Sequence, residues 1–499
     1  MLKRRNNVDW FLQDNRQAPV AILMIIFNVI KSVIRTWWPI LLILFFRSNL
    51  MGPDTGKLVV IGGTSLIILI SIWRYFRFHF HLSDTKLHVQ SGVFTRTKMD
   101  IPFDRIQTIS FEQNIVHQLF DVTRVKIDTA GSSKEEFEFA ALDQDKAEQL
   151  RSFILSRKTP TEETTASDVE SIERKELLLH LDVGDLIKVG ISQNHLRTTG
   201  IIVAFLLGLR DRINEALGEG YVDQFDNLAE KLFQNTVSYA IMLFILLIFL
   251  SFIGTLIYTV FRYYDLSFYK TNEGYKIQAG LLNKVEQAAL DHKIQIVRWV
   301  SNPLRKIFNI VHLRLYQASS ASGRGSSNIT IPGYPTETLV DIKRYVFGRN
   351  YLEPETSLGV DRRLFFRRSI FLAGIPSLCL GLAAWYDGNI PLFFIATFWL
   401  VAVTIFQFYY QRNWRFHFTV NECIITYGVI ERVTKALSLF KVQAIQIKQT
   451  PYQRRQQLAN IILHTASGDV KIPYIQLTAA LEIKNYLLYR IESSTRKWM

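Results

Sequence analysis

Residues 237–261, VSYAIMLFILLIFLSFIGTLIYTVF, run for twenty-five positions without a charged side chain. A bilayer core takes roughly twenty apolar residues in a helix, and only a helix or a closed barrel satisfies its own backbone polar groups in lipid. This chain must therefore build the rest of its structure around a membrane helix. Two further stretches, 58–73 closed by Arg74 and 390–410 closed by Arg412, have the same character. Each of the three is preceded by another apolar segment, at 30–46, 196–209 and 369–385, which gives six spans in three pairs. Residues 1–30 join a basic start to an apolar stretch but lack a small-residue cleavage site, so they are read as retained.

Charge sets the orientation. The flanks LKRR, WRYFR, RRLFFRR and QRNWR are basic, whereas the loops 47–57 and 384–389 carry few bases and the loop 210–231 holds six acids against three bases. Basic flanks stay in the cytoplasm, which places both termini and the segment after each span pair there. Part of the net charge of +14 is then topological, and nucleic acid is not expected as a partner. Cys379 and Cys423 fall in an apolar run and a strand-like stretch, and support neither a disulfide framework nor a zinc site.

After each pair the same outline returns, as QSGVFTRTKMDIPFDRIQTI, QAGLLNKVEQAALDHKIQIV and TYGVIERVTKALSLFKVQAI. Gly92, Gly280 and Gly428 stand fifteen residues before Gln107, Gln295 and Gln443, and a base, Arg105, Lys293 or Lys441, lies two before each glutamine. Short alternating runs such as KLHVQSG and EFEFAAL predict antiparallel strands. Each set closes on an amphipathic helix, with stripes expected at Ala147, Leu150 and Ile154, at Leu339, Ile342 and Tyr345, and at Leu481, Ile483 and Leu487. Strands ended by one helix describe a small rolled sheet whose open end the helix plugs. The fold class is thus membrane α plus β, in three modules of a transmembrane pair and a β-roll. Boundaries fall at 1–76 (interfacial segment and first pair), 77–158 (first roll), 159–176 (linker), 177–262 (second pair with its outer loop 210–231), 263–350 (second roll), 351–412 (linker and third pair) and 413–499 (third roll).

A span pair followed by a strand ending in RFHF, then SGVF, RIQTI and a terminal strand and helix, resembles the membrane-anchored bacterial pleckstrin-homology-like domain family, in its multi-copy YdbS/YdbT type. The resemblance covers nearly the whole chain, at about 1–160, 173–350 and 361–499, and departs from the pattern where the second copy has RYYDLSF. It implies PH-like rolls of seven strands with a C-terminal helix, used for binding rather than catalysis and without cofactors. It also implies a small single-copy relative, two spans and one PH-like domain, as a partner beside the lipid bilayer. The several bases that mark inositol-lipid binding are missing, with only Lys86 in HLSDTKLH.

Gly92, Gly280, Gly428, Gln107, Gln295 and Gln443 are expected to be structural markers. Arg105, Lys293 and Lys441 are candidates for contact with lipid phosphate or with a neighbouring domain, against the plainer alternative of solvated strand positions. His79 and His81 share a strand face but lack a third metal ligand nearby, and the third copy keeps only His417. SSASGRGSSN, 319–328, lacks the Gly-Lys-Ser/Thr ending of a phosphate loop and is read as a hairpin tip. No catalytic or metal constellation emerges, and the spans 58–73, 237–261 and 390–410 hold no Asp, Glu, Lys, Arg or His in their apolar cores. In the outer loop Val222, Phe225, Leu228 and Leu232 fall at helical spacing and suggest an interfacial helix. The expected function is a non-enzymatic scaffold or assembly platform, tied to envelope stress or resistance to membrane-active peptides; a lipid-handling transporter is the alternative.

Overall fold

The computed structural model describes residues 13–46, 53–92, 95–129, 137–157, 176–217, 237–272, 274–318, 328–347, 357–419 and 421–493. Most of the linker 159–176, most of the outer loop with its Val222 to Leu232 stripe, and the tip 319–327 lie outside these residues. The chain divides into two compact units, one of Met1–Arg174, His180–Ser267 and Ile277–Gln287, the other of Lys175–Leu179, Phe268–Lys276 and Ala288–Met499.

Helices Ala21–Phe46 and Pro53–Phe76 pack together, as do His195–Leu217 and Val237–Tyr263, and as do Ile375–Tyr386 and Ile390–Arg412. Among the described residues three helices are long and apolar enough to cross a membrane, Phe244–Tyr263, Arg363–Tyr386 and Ile390–Arg412. Their large side chains, Phe249, Phe371, Phe394 and Phe398 among them, face outward. Water would penalise such a surface by about 25 cal/mol per Å²; lipid does not. The helix over 196–209 continues to Leu217, beyond the apolar run. Within Arg363–Tyr386 the backbone takes a π turn at Ile370–Gly374 just before Pro376. Proline lacks the N–H that would bond the carbonyl four residues back, and the indole Nε1 of Trp399 donates to that carbonyl, of Leu372, at 3.1 Å.

The first roll runs β1 (His79–Leu82), β2 (Lys86–Ser91), β3 (Thr97–Pro102), a 3₁₀ turn Phe103–Arg105, β4 (Ile106–Asn114), a short helix Ile115–Leu119, β5 (Val122–Thr129), β6 (Phe137–Asp143) and the capping helix Gln144–Arg157. Phe80, Leu82, Leu87, Phe103, Ile127 and Phe139 fill it, and Ala147, Leu150 and Ile154 of the cap are fully buried against them. The second module places β7 (Glu176–Leu181) before its helices. Then follow β8 (Leu266–Lys270), β9 (Gly274–Ala279), β10 (Asn283–Leu290), a turn Asp291–Lys293, β11 (Ile294–Ser301), helix Pro303–Ile307, β12 (Ile310–Gln317), β13 (Ile329–Pro335) and cap Leu339–Phe347. The third repeats this with β14 (Leu358–Gly359), β15 (Arg415–Phe418), β16 (Glu422–Tyr427), β17 (Arg432–Ser438), turn Leu439–Lys441, β18 (Val442–Lys448), helix Pro451–Arg455, β19 (Leu458–Thr465), β20 (Gly468–Gln476) and cap Leu477–Glu492.

Among the described residues six strands, not seven, follow each helix pair. The seventh comes from the chain before the pair: Asn15 exchanges backbone hydrogen bonds with Phe80, and β14 pairs with β15. In the second module His180 on β7 meets the Ser267 hydroxyl on β8 at 3.1 Å. On the caps, Tyr345 and Leu481 are exposed, and Ala480 rather than Leu481 is buried. The true stripe of the third cap is 480, 483, 487 and 491, one residue out of phase with the apolar leucine.

Gly92, Gly280 and Gly428 have φ of 116°, 113° and 109°. A Cβ there would stand 1.9, 2.1 and 2.0 Å from the carbonyl oxygen of Thr95, Asn283 or Glu431, three residues on, so only glycine closes these turns. The strand register slips at Gln107, Gln295 and Gln443, so each glutamine is the extra residue of a β-bulge in the fourth strand of its roll. Seven residues further on, Asn114, Asn302 and Thr450 cap the short helices, accepting from the backbone N–H of His117, Arg305 and Gln453.

Candidate functional site

The rolls join edge to edge. In the first unit β10 pairs with β4, Glu286 opposite Phe111; in the second β17 pairs with β11, Thr434 opposite Trp299. The register is the same in both, the sixth residue after the turn glycine facing the fourth after the bulge glutamine. A base on the capping helix secures each joint. Arg151 lies over the Phe111 ring at 5.5 Å and its Nη1 donates to the Glu286 carboxylate at 2.5 Å. Lys343 lies over the Trp299 ring at 4.9 Å and acts on the buried Glu422, whose Oε2 has no hydrogen-bond partner. Burial pushes the Glu422 carboxyl up to about 7, against the opposing pull of Lys343.

The three bases before the glutamines end the 3₁₀ turns rather than sitting on the strands, and their surroundings differ. Arg105 is exposed and Lys293 half-buried. Lys441 is 5% exposed, and its ammonium donates to the Ile294 carbonyl on β11 at 2.6 Å. Burial brings its pKa down to about 8, although Asp291 pulls the other way. The glutamines differ too. Gln295 is buried with both amide atoms unpartnered, while Gln443 is exposed, and the side chain of Gln107 lies outside the description. His79 accepts from Arg16 Nε at 3.2 Å, His81 stacks on His88, and His81 and His88 pair with Asp14 and Asp100. No cluster of three metal-ligating side chains occurs among the described residues. His417 is half-buried with Nε2 unpartnered, and burial lowers its pKa.

One group of residues in the second unit was not legible as a site. Arg314, Arg298 and Lys435 stand directly opposite one another on β12, β11 and β17, a row of like charges across three strands. Like charges so placed repel, and none of the three pairs with a carboxylate among the described residues. Instead Arg298 and Arg314 donate to the Tyr316 hydroxyl at 3.2 and 3.5 Å, and Arg314 Nε donates to Thr330 at 3.1 Å. Burial, the largest single influence, would raise the Tyr316 pKa, but these two hydrogen bonds together with the charges of Arg314 and Arg298 lower it; burial and then Arg298 lower that of Lys435. Beside Lys435 opens a cavity of about 330 Å³ lined by Arg367, Arg368, Tyr410, Trp414, Tyr427 and Lys471, with Asp469 the one acid among the described lining residues. Arg368 lies 4.2 Å over the Tyr410 ring and Trp414 stacks on Tyr427. Such a site suits a phosphate on an aromatic-lined wall. The signal in the sequence was the basic, aromatic end of the third helix pair, but its joining to β11 and β12 was not visible there. In the first unit a larger cavity of about 620 Å³, lined by Ile25, Asn28, Val29, Arg74, Phe78 and Phe137 among others, occupies the matching place between helix ends and roll.

Comparison with known proteins finds the family model for the bacterial PH domain matching residues 20–158, 220–350 and 369–491, well over half of the chain. The UPF0699 transmembrane protein YdbT of Bacillus subtilis (strain 168) is 23% identical over 467 residues, covering 90% of this chain and 92% of its own. The UPF0699 transmembrane protein YdbS of the same organism is 23% identical over 145 residues, 29% of this chain and 83% of its own.

Proposed function

The chain belongs to the bacterial PH domain family, and from that premise we propose that it is a non-enzymatic scaffold of the bacterial inner membrane that grips anionic lipid headgroups. In this reading six helices cross in three pairs, both termini and all three rolls are cytoplasmic, and a small one-module relative assembles on the platform. Its role is to buffer the envelope against membrane-active agents. The observation that carries the headgroup contact is the row Arg314, Arg298 and Lys435, three like charges that pair with no carboxylate among the described residues, beside a basic, aromatic cavity. An anion there would relieve their repulsion. Arg367, Arg368, Tyr410 and Trp414 come from the ends of a helix pair, at the level where headgroups lie.

The test is lipid retention. Full-length protein extracted from a mixed membrane should carry phosphatidylglycerol over phosphatidylcholine by mass spectrometry, and the double variant Arg298→Gln, Lys435→Gln should lose that preference. Charge-assisted hydrogen bonds contribute about 1.5–3 kcal/mol each, so the expected loss is at least about tenfold. Equal retention of both lipids, or an unchanged preference in the variant, defeats the reading; an arm with free inorganic phosphate separates a headgroup site from a phosphate site. The 620 Å³ cavity, lined by Ile25, Val29, Phe78 and Phe137 together with Arg74 and Glu138, favours lipid handling as the second reading. Movement of labelled lipid between leaflets of proteoliposomes would support it.

A further inference from the structure

We propose that the outer edge of β18 is a docking strand for the third strand of a PH-like roll in a separate chain, and that Lys484 meets a carboxylate on that roll. The proposal deepens the scaffold reading and rests on it. Within the chain the fourth strand of a roll takes the third strand of the roll that follows: β4 takes β10 and β11 takes β17. The last fourth strand, β18, belongs to a three-stranded sheet, β18-β19-β20, and no strand pairs with its outer edge among the described residues. An open edge presents a row of backbone donors and acceptors ready for another strand.

Burial marks the difference. β11, covered by β17, buries Ile294, Gln295, Ile296 and Val297, whereas the uncovered β18 exposes Gln443, Ala444, Gln446 and Lys448. The capping-helix base is also in place. Arg151 and Lys343 directly follow the buried Leu150 and Ile342, and Lys484 directly follows Ile483, which packs against the core of the third roll. Arg151 has Glu286 and Lys343 has Glu422; Lys484 has no ion pair among the described residues.

Charge decides the occupant. A second copy of this chain could offer β3, the third strand of its first roll. In the shared register Lys98 would then stand where Glu286 stands, and Lys86 where Glu422 stands. Both are exposed lysines, so at the two positions that hold the acid in the other joints this copy offers a base, and its nearby Asp100 is already paired with His88. The fitting partner is instead a separate PH-like roll with a carboxylate six residues after, or six before, its turn glycine.

The probe is a peptide of this chain's own acidic third strand, residues 280–291, offered to the full-length protein in detergent. With Cys379→Ser and Gln446→Cys in the protein and Gln287→Cys in the peptide, the register brings the two thiols opposite each other. Disulfide trapping should exceed that of a peptide carrying Glu286→Lys by about tenfold. Lys484→Glu in the protein should reverse the preference. Equal trapping of both peptides, or none, overturns the proposal. So does stronger trapping between Gln446→Cys and Met99→Cys copies of the whole protein, which would make the second copy the occupant. The assay shares no residue with the lipid test, so either reading can fail alone.

Discussion

Replacing Lys441 with methionine tests whether a buried charge sits in the joint between β11 and β17. Lys441 is 5% exposed, bonds the Ile294 carbonyl at 2.6 Å and has its pKa brought down by burial to about 8 from 10.5. One pKa unit is 1.36 kcal/mol, so holding the ammonium charged inside the fold costs about 3 kcal/mol at neutral pH. Between pH 8 and 10.5 the folded protein has lost this proton while the unfolded chain still binds it. The unfolded state then binds more protons, and stability rises with pH. The contribution is complete above the unfolded pKa and is lost as pH falls through 8. Lys441→Met removes the charging cost but leaves the carbonyl without its donor, about 1–3 kcal/mol. At pH 7 the variant is therefore expected to be as stable as the parent or up to about 2 kcal/mol more stable. By pH 10.5 the parent should have gained about 3 kcal/mol on the variant, some 6 °C or more in Tm at about 2–4 °C per kcal/mol. Thermal unfolding of both proteins in detergent across this range reads the difference, which cancels the other lysines and tyrosines. A difference curve that is flat, or that falls with pH, would refute the buried-charge argument.

Three further outcomes are expected. Gly280→Ala forces a Cβ to 2.1 Å from the Asn283 carbonyl at φ 113°, and should destabilise the fold by about 1–3 kcal/mol, seen as a lower denaturation midpoint; an unchanged midpoint would mean the turn relaxes freely. In a Cys379→Ser background, a cysteine at Asp387 should react with an impermeant thiol reagent outside the cell and one at Ser467 should not, and the reverse pattern would invert the orientation. A strain lacking the protein should grow normally in plain medium yet be more sensitive to cationic or pore-forming peptides. Full tolerance of a broad peptide panel would remove the envelope role and leave lipid handling ahead.

Much of this protein was written locally. Absence of charge over 237–261 is enough to call for a membrane helix, because the cost of burying a charge in lipid is paid residue by residue. The fifteen-residue spacing from Gly92 to Gln107 and its two echoes is also local: one turn that only glycine closes and one strand that runs from it to a bulge. The capping residues Asn114, Asn302 and Thr450 carried a usable signal at a fixed distance from the glutamines that the strand pattern concealed. Tertiary structure alone decided what lies against what. Nothing near Lys441 in the sequence distinguishes it from Arg105, yet one is buried on a carbonyl of the preceding roll and the other is in solvent. Arg314, Arg298 and Lys435 lie far apart in the sequence and become one row only because strands from two different rolls set them side by side. Strand register between segments more than a hundred residues apart is fixed by the packing of whole edges, and the electrostatics of a site follow from that register rather than from the residues taken singly.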